Sequence, residues 1–358
     1  MLPSPSAADL FLSLPEPAST PIPLPRGTTA VVYCEGQFGE QDGKTANGLV
    51  RHSEKYEILS VIDSTRSGSD AGAFLDGTAN GIPVLAGLDE AIAHAGAVPD
   101  YLICGVAPAS GLLSEAQRVV LLDGIARGMH IINGLHEFLS DDIEFEAASL
   151  RAGVTITDVR RPKAKKDLHL FSGRIFDVTC PRIAILGTDG AIGKRTTATL
   201  LVQSLNARGV KAVLVGTGQT TLIQGGKYGV ALDALVPQFC SGEVENQVVA
   251  AFEHEDPDII IVEGQGALSH PAYLTSAHIL RGSRPAGVIV QHAPGRRTLG
   301  DFPMCPMPSV ASEIDEAIDE YELAFGIPAT DPLTRPLDRL VDMVLAAFPA
   351  LKASPATS

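Results

Sequence analysis

The chain has 358 residues, of which 45% are hydrophobic, and its 42 acidic and 27 basic side chains give a formal net charge of -15. That length exceeds one ordinary domain and points to two of unequal size. So acidic a chain is excluded as a general binder of nucleic acid or anionic membrane, because like charge repels both, and any anionic ligand has to be held by local positive charge.

The five cysteines, Cys34, Cys104, Cys180, Cys240 and Cys305, form no CxxC pair, which suits a reducing cytoplasm without a structural zinc site. No apolar run reaches the length needed to cross a bilayer. No basic residue precedes Arg26 to serve as the start of a signal peptide. These features predict a cytoplasmic protein.

Residues 1–26 read as a proline-rich arm, since seven prolines up to Pro25 prevent a continuous helix or central strand. Its apolar patch, Leu10 to Leu14, is suited to packing on the body or on a neighbouring subunit of a homo-oligomer, with a mobile tail as the alternative. From Thr28 the pattern becomes TAVVY, a glycine-bearing turn, a helix-like NGLVRHSE and a second strand ending at Asp63. Strand, glycine turn, helix, strand and acidic residue is the order of a dinucleotide-binding unit, with Asp63 in the place that meets a ribose. GxGxxG is absent, however, and Gly43, Lys44 and Thr45 instead imitate the end of a P-loop. A unit used only as scaffold is the alternative.

Further strands are predicted at Pro83 to Leu85, Tyr101 to Val106 and His130 to Asn133, with helices at Leu88 to Ala95 and Ser114 to Arg127. That alternation predicts a parallel sheet covered on both faces. The strand ends GVAPASG and INGLHEFLSDD bring His136 and Glu137 to the carboxyl edge, where open α/β sheets bind ligands. Arg160, Arg161, Lys163, Lys165 and Lys166 form the densest positive cluster in the chain. They read as a solvated bridge between domains, with Arg160 and Arg161 as possible forks for a carboxylate or phosphate. The boundary is placed near Asp177, which gives a first domain at 27–177, a second at 178–350 and a tail at 351–358.

The second domain centres on GTDGAIGKRT, Gly187 to Thr196, after the apolar run Ile183 to Leu186 and before a helix. Such a turn aims backbone N–H groups and the positive end of a helix dipole at one point, and so binds phosphate. Gly187, Thr188, Asp189, Gly190 and Gly193 would form the cradle, Lys194 the charge, and Thr196 or Thr197 the hydroxyl. Arg195 intervenes between Lys194 and Thr196 and departs from the usual pattern. From Gly216 to about Ser241 periodicity is weak, which predicts a long loop over the site with Gly218 and Gln219 among its contacts. Glu263 ends the buried strand DIIIVE, where P-loop proteins put a metal-binding or water-ordering carboxylate. The strand GVIVQ delivers His292, Arg296 and Arg297 to the same edge, and Ile259 to Val262 and Gly287 to Val290 are expected to be sheet neighbours. The fold class is α/β, with an N-terminal Rossmann-like parallel sheet and a C-terminal P-loop NTPase-like parallel sheet.

GTDGAIGKRT together with IIIVEGQGALSHPA is similar to the dethiobiotin synthetase branch of P-loop proteins. More specifically, YCEGQFG with GKTANGLVRHS, GVAP, GLHEFL, GTDGAIGKRTT, GTGQT, VEGQGALSHPA and HAPGR together resemble the family of DgcN-type D-glutamate N-acetyltransferases. That family was long described as a domain of unknown function with a Rossmann-like first part and a P-loop second part. The resemblance runs from about Thr28 to Phe348. It implies acetyl-CoA as cosubstrate, D-glutamate as acceptor, and a functional link to an enolase-superfamily racemase in D-amino acid catabolism.

Under that implied reaction the P-loop serves as a handle for the phosphates of acetyl-CoA. Arg296 and Arg297, then Arg160 and Arg161, are candidates for the substrate carboxylates, beside Lys44 and Thr45. His270, Glu263 and His292 are candidates for the catalytic base, with His270 first and Glu263 as its orienter or the amine anchor. Backbone N–H groups of the Gly264 to Gly266 turn could stabilise the oxyanion. The rivals are an ATP- and magnesium-dependent ligase, a nicotinamide-dependent oxidoreductase, and a nucleotide sensor without turnover. No metal site is expected, and Arg195 counts against magnesium because one step along a helix turns a side chain by about 100°.

Overall fold

The computed structural model describes residues 28–108, 110–310 and 337–351. The proline-rich arm and residues 352–358 of the tail lie outside the described residues. Two parallel sheets follow one another along the chain. The first has six strands in the order β3-β2-β1-β4-β5-β6. These are β1 (Thr29–Tyr33), β2 (Glu57–Ile62), β3 (Val84–Leu85), β4 (Tyr101–Cys104), β5 (His130–Asn133) and β6 (Ile156–Asp158). This is the doubly wound order, in which the chain reverses direction across the sheet between β1 and β4 and leaves a crevice at their carboxyl ends.

The helices of this domain are α1 (Lys44–Arg51), α2 (Ala71–Asp76), α3 (Leu88–Ala95), α4 (Glu115–Ala126) and α5 (Ile143–Ala152). Local chemistry sets their ends. Ser114 and Gln117 close a capping box on α4, and Asp142 accepts the N–H groups of Glu144 and Phe145 at the start of α5, each satisfying donors that the helix itself cannot. β6 is an element that the charged stretch after it concealed in the sequence.

The second sheet runs β11-β7-β10-β8-β9, from β7 (Arg182–Gly187), β8 (Ala212–Gly216), β9 (Tyr228–Gly229), β10 (Ile259–Glu263) and β11 (Gly287–Gln291). Its helices are α6 (Lys194–Ala207), α7 (Gln219–Gln224), α8 (Pro237–Glu255), α9 (Thr275–Ser283) and α10 (Asp338–Ala347). β10 is buried on both faces. Ile259 and Ile261 pack with Leu201, Leu205 and Val341, and Ile260 and Val262 with Val244, Val248 and Ile279. Each such side chain contributes about 1.5 to 3 kcal/mol of burial free energy.

Two expectations are corrected here. β10 and β11 are not neighbours, because β7 lies between them and pairs with both. The stretch from Gly216 to Ser241 is not an open loop but folds into α7, β9 and the first turn of α8, and among its residues Thr220, Thr221, Ile223 and Gln224 are buried.

The basic stretch between the sheets is pinned, not solvated at random. Glu245 of α8 is buried and accepts the backbone N–H groups of Ser172 at 2.6 Å and Ile175 at 3.1 Å. Glu243 accepts His169 N–H at 2.7 Å. Arg161 is taken by Asp141 at 2.8 Å on the surface of the first domain. Among the described residues no helix is long and apolar enough to cross a membrane.

Replacing Glu245→Ala should strand two backbone donors at about 1 to 3 kcal/mol each. The expected outcome is a lower melting temperature, read by calorimetry, with more rapid proteolysis between residues 163 and 181. An unchanged melting temperature would show that the bridge is not held through this carboxylate.

Candidate active site

The phosphate-type loop is built where β7 stops. Gly187 cannot carry a side chain, since a Cβ would lie 2.5 Å from the carbonyl oxygen of Gln291 on β11. The chain then turns through Ala191 and Gly193, both with positive φ, into α6. Thr197 is the first residue of α6 whose N–H finds a carbonyl of the turn, that of Gly193 at 3.0 Å, so the N–H groups before it point out of the helix end. Lys194 is buried and its ammonium donates to the carbonyls of Asp189 and Gly266, the latter at 3.0 Å. It therefore ties the loop to the turn after β10.

A strap holds the loop from the other side. Asp189 is buried and its carboxylate accepts from Arg296 at 2.6 Å and from the N–H of Gly300 at 2.9 Å. Arg296 also donates to the carbonyl of Gly190 at 2.8 Å. The loop is preorganised before any ligand arrives.

Arg195 stands where a hydroxyl follows the lysine in a metal-binding P-loop. Its guanidinium donates to Gln224 of α7 and lies so close to α1 that a Cβ on Gly48 would fall 2.2 Å from its Nη2. Burial lowers the Arg195 pKa from its usual value, and Glu263 is the charge that opposes this. Burial pushes Glu263 up in turn, against Arg195, the Thr221 hydroxyl, the Thr217 N–H and Lys194. A guanidinium beside the one carboxylate that a magnesium ion would share repels the ion. Thr197, the second hydroxyl candidate, is committed to Gln291 at 2.7 Å. These residues do not fit a P-loop magnesium site, and among the described residues no group of three or more His, Cys, Asp or Glu side chains is placed to hold a metal ion.

Loop and sheet edge enclose a cavity of about 900 Å³ between the domains, at the upper end of the roughly 300 to 1,000 Å³ usual for small-molecule sites. One wall is the P-loop with Lys194, Arg195, Thr196 and the Glu263 to Gly266 turn, and the other is Lys44, Asn47, His136 and Arg160 of the first domain. Arg160 is buried and reaches across to Asp233 of the second domain at 2.8 Å.

Two family models match this chain. Residues 64–162 match a Rossmann-like domain of unknown function, DUF1611_N, and residues 169–317 a P-loop domain of unknown function, DUF1611_C. A protein of Tritonibacter scottomollicae named D-glutamate N-acetyltransferase is 30% identical over 278 residues, 68% of this chain and 81% of that one. The chain belongs to the DUF1611 family. A Pseudoalteromonas protein of the same name is 27% identical over 297 residues, 73% of this chain and 87% of its own. A DUF1611 family protein of Anabaena variabilis, solved as a crystal structure, superposes with a TM-score of 0.74 at 30% identity, covering 83% of each chain. A further similarity, 28% over 160 residues, is to a UDP-N-acetylmuramoyl-L-alanyl-D-glutamate--2,6-diaminopimelate ligase of Chlorobaculum tepidum, covering 42% of this chain and 31% of the ligase.

Of the side chains singled out in the sequence of this DUF1611 protein, the structure brings Lys194, Arg195, Thr196, Gly190, Gly193, Gly218, Gln219, Glu263, Lys44, Arg160 and Arg296 to the cavity. Others it places elsewhere. His270 is buried, stacked on Tyr273 at 4.3 Å and met edge-on by Phe302 at 5.6 Å between ring centroids, and its Nδ1 accepts the N–H of Ala272. It is not in the cavity wall. His292 lies behind the loop, its Nδ1 3.0 Å from the Thr188 hydroxyl. Arg297 is exposed and, with Arg161, off the cavity. Arg296 reaches the cavity but is committed to Asp189, so it serves the loop and not a substrate carboxylate. Thr45 is buried at the domain contact, its hydroxyl 3.4 Å from that of Thr220.

Asp63 does not present a free carboxylate to a ribose. It is buried and accepts the N–H of Phe38 at 2.9 Å and that of Thr65 at 3.0 Å, which folds the glycine turn onto the sheet end. Among the cavity residues that the sequence did not single out for chemistry are Asp233, His278 and Tyr273. Asp233 sits in a short 3-10 turn, Leu232–Ala234, inside the stretch read as a loop, and only the tertiary contact with Arg160 marks it.

Replacing Lys194→Ala removes a charged donor from the loop and should weaken binding of inorganic pyrophosphate by about 1.5 to 3 kcal/mol, measured by calorimetry. Asp189→Ala, which touches no ligand, should weaken it too, through the released strap. Equal affinity in both variants would remove this loop from anion binding.

Proposed function

We propose that this protein is an acyltransferase that moves the acetyl group of acetyl-CoA to the amine of D-glutamate or a closely related D-amino acid. The observation that carries the reading is a P-loop that brings Lys194 and its glycine turn to the cavity while Arg195 takes the place of the hydroxyl that follows the lysine in a metal-binding loop. Such a loop grips phosphates without supporting phosphoryl transfer. Coenzyme A carries a diphosphate and a further phosphate, and acetyl transfer from its thioester needs neither magnesium nor hydrolysis. The names borne by the two bacterial relatives supply the acceptor.

In this reading the diphosphate lies on the loop N–H groups and the acceptor amino acid against the first domain. Lys44, which makes no ion pair among the described residues, faces the cavity beside Arg160 and offers charge for a carboxylate. The acceptor amine arrives protonated and must lose that proton. Its lone pair then attacks the thioester carbonyl carbon, and the C–N bond forms as the carbonyl oxygen takes the negative charge. Backbone N–H groups of the Gly264 to Gly266 turn, which lines the cavity, are the proposed donors to that oxygen. Collapse breaks the C–S bond as the nitrogen gives up its remaining extra proton, and a proton taken up by the departing thiolate releases the thiol.

The partial likeness to a peptidoglycan ligase favours an ATP-dependent ligase as the second reading, and the Arg195 position weighs against it. Thiol release from acetyl-CoA, followed with a panel of D- and L-amino acids, separates the two. We expect release with D-glutamate in the absence of ATP, unaffected by EDTA. Strict dependence on ATP with ADP formed would establish the ligase instead, and coenzyme A binding without turnover on any amino acid would establish a sensor.

A further inference from the structure

The cavity wall opposite the P-loop carries one imidazole. His136 follows β5, and its ring lies against Gly111 of the segment after β4, where a Cβ would come within 2.9 Å of it. Gly111 has φ +68, so glycine serves there both for the backbone and for the room it leaves. The His136 Nε2 is 3.7 Å from Oδ2 of Asp233. That same oxygen is 2.8 Å from Nη2 of Arg160. The cluster joins both domains, and about half of the His136 side chain is open to the cavity.

The charged groups around the ring are few. Burial is the largest influence and holds the His136 pKa below the usual imidazole value, Arg160 and Lys44 push the same way, and Asp233 opposes them. The ring is therefore neutral at pH 7 and able to accept a proton. His278 also lines the cavity, but its charged neighbour is Arg281, which disfavours the imidazolium that a base must become.

We propose that His136 takes the proton from the acceptor amine, with Asp233 as the carboxylate that steadies the ring and Arg160 as the positioning residue that holds Asp233 across the domain boundary. This rests on the acetyl-transfer reading above. The ammonium sheds one proton to solvent, and as the neutral amine attacks the thioester its second proton passes to His136, which becomes imidazolium beside Asp233. When the C–S bond breaks, the proton returns to the departing thiolate and the ring is neutral again. The acceptor thus sits on the first domain and the acetyl donor on the second, so neither domain alone holds a complete site.

The test measures thiol release by wild type, His136→Gln, His136→Gly and His278→Gln. Loss of a general base costs about 10² to 10⁴ in rate. We expect a fall of that size in kcat for His136→Gln, with the KM for acetyl-CoA little changed and the acid limb of the kcat/KM profile, below the usual imidazole pKa, abolished. Added imidazole should restore turnover to His136→Gly, which a merely structural role would not allow. Near-normal kcat in His136→Gln, or the rate loss appearing in His278→Gln instead, overturns the assignment while leaving acetyl transfer standing. Absence of thiol release by wild type with every amino acid overturns both.

Discussion

The side chain of Gln224 is the joint on which the two domains turn into one site. Its amide nitrogen donates to the carbonyls of Gly48 and His52 at the end of α1, each at 2.7 Å, and its oxygen accepts from Arg195 at the start of α6. Ile223, one residue earlier on α7, is counted within the core of the first domain, against Gly134, where a Cβ would come within 3.1 Å of it. Buried polar groups of this kind are costly unless every partner is present, so the domain angle follows from them. That angle points the open end of α6 at the carboxyl edge of the first sheet.

Two half-sites of different chemistry result. On the second domain, Lys194, the Asp189 to Arg296 strap and the first turn of α6 form the tied loop proposed as the anion cradle. Buried charges are tolerated only in pairs, and three here have a partner: Asp189 with Arg296, Arg160 with Asp233, and Glu263 with Arg195. On the first domain the doubly wound sheet keeps its crevice but not its dinucleotide chemistry, since Asp63 is spent on the turn that Phe38 closes. Arg195, which takes the place of the hydroxyl after the lysine, also reaches α1 of the first domain.

Much of this was legible in the sequence. Long apolar runs such as Ile183 to Leu186 and Ile259 to Val262 admit few structures other than buried parallel strands, and the Gly187 to Thr196 turn announces itself by its glycines and lysine. What depended on tertiary contact was not legible. β6 was hidden just before the charges of 160–166, because an edge strand of three residues needs only its neighbour β5. The order β11-β7-β10 could not be read from strands that are each followed by a helix. No spacing shows that Asp189 pairs with Arg296, or that Tyr273 and Phe302 pack against His270. His136 was noticed at the sheet edge, yet its significance lies in Asp233, which is 97 residues away in a stretch with no pattern of its own.

The central claim is that phosphate is held at the P-loop and the amino acid across the cleft, without a metal. A crystal structure of the protein grown in EDTA with coenzyme A and D-glutamate tests it most directly. The account predicts diphosphate oxygens within about 3 Å of the loop N–H groups between Gly190 and Thr196, and the acceptor amine beside His136. Coenzyme A bound away from this loop, or a metal ion bridging the diphosphate to Glu263, would contradict it.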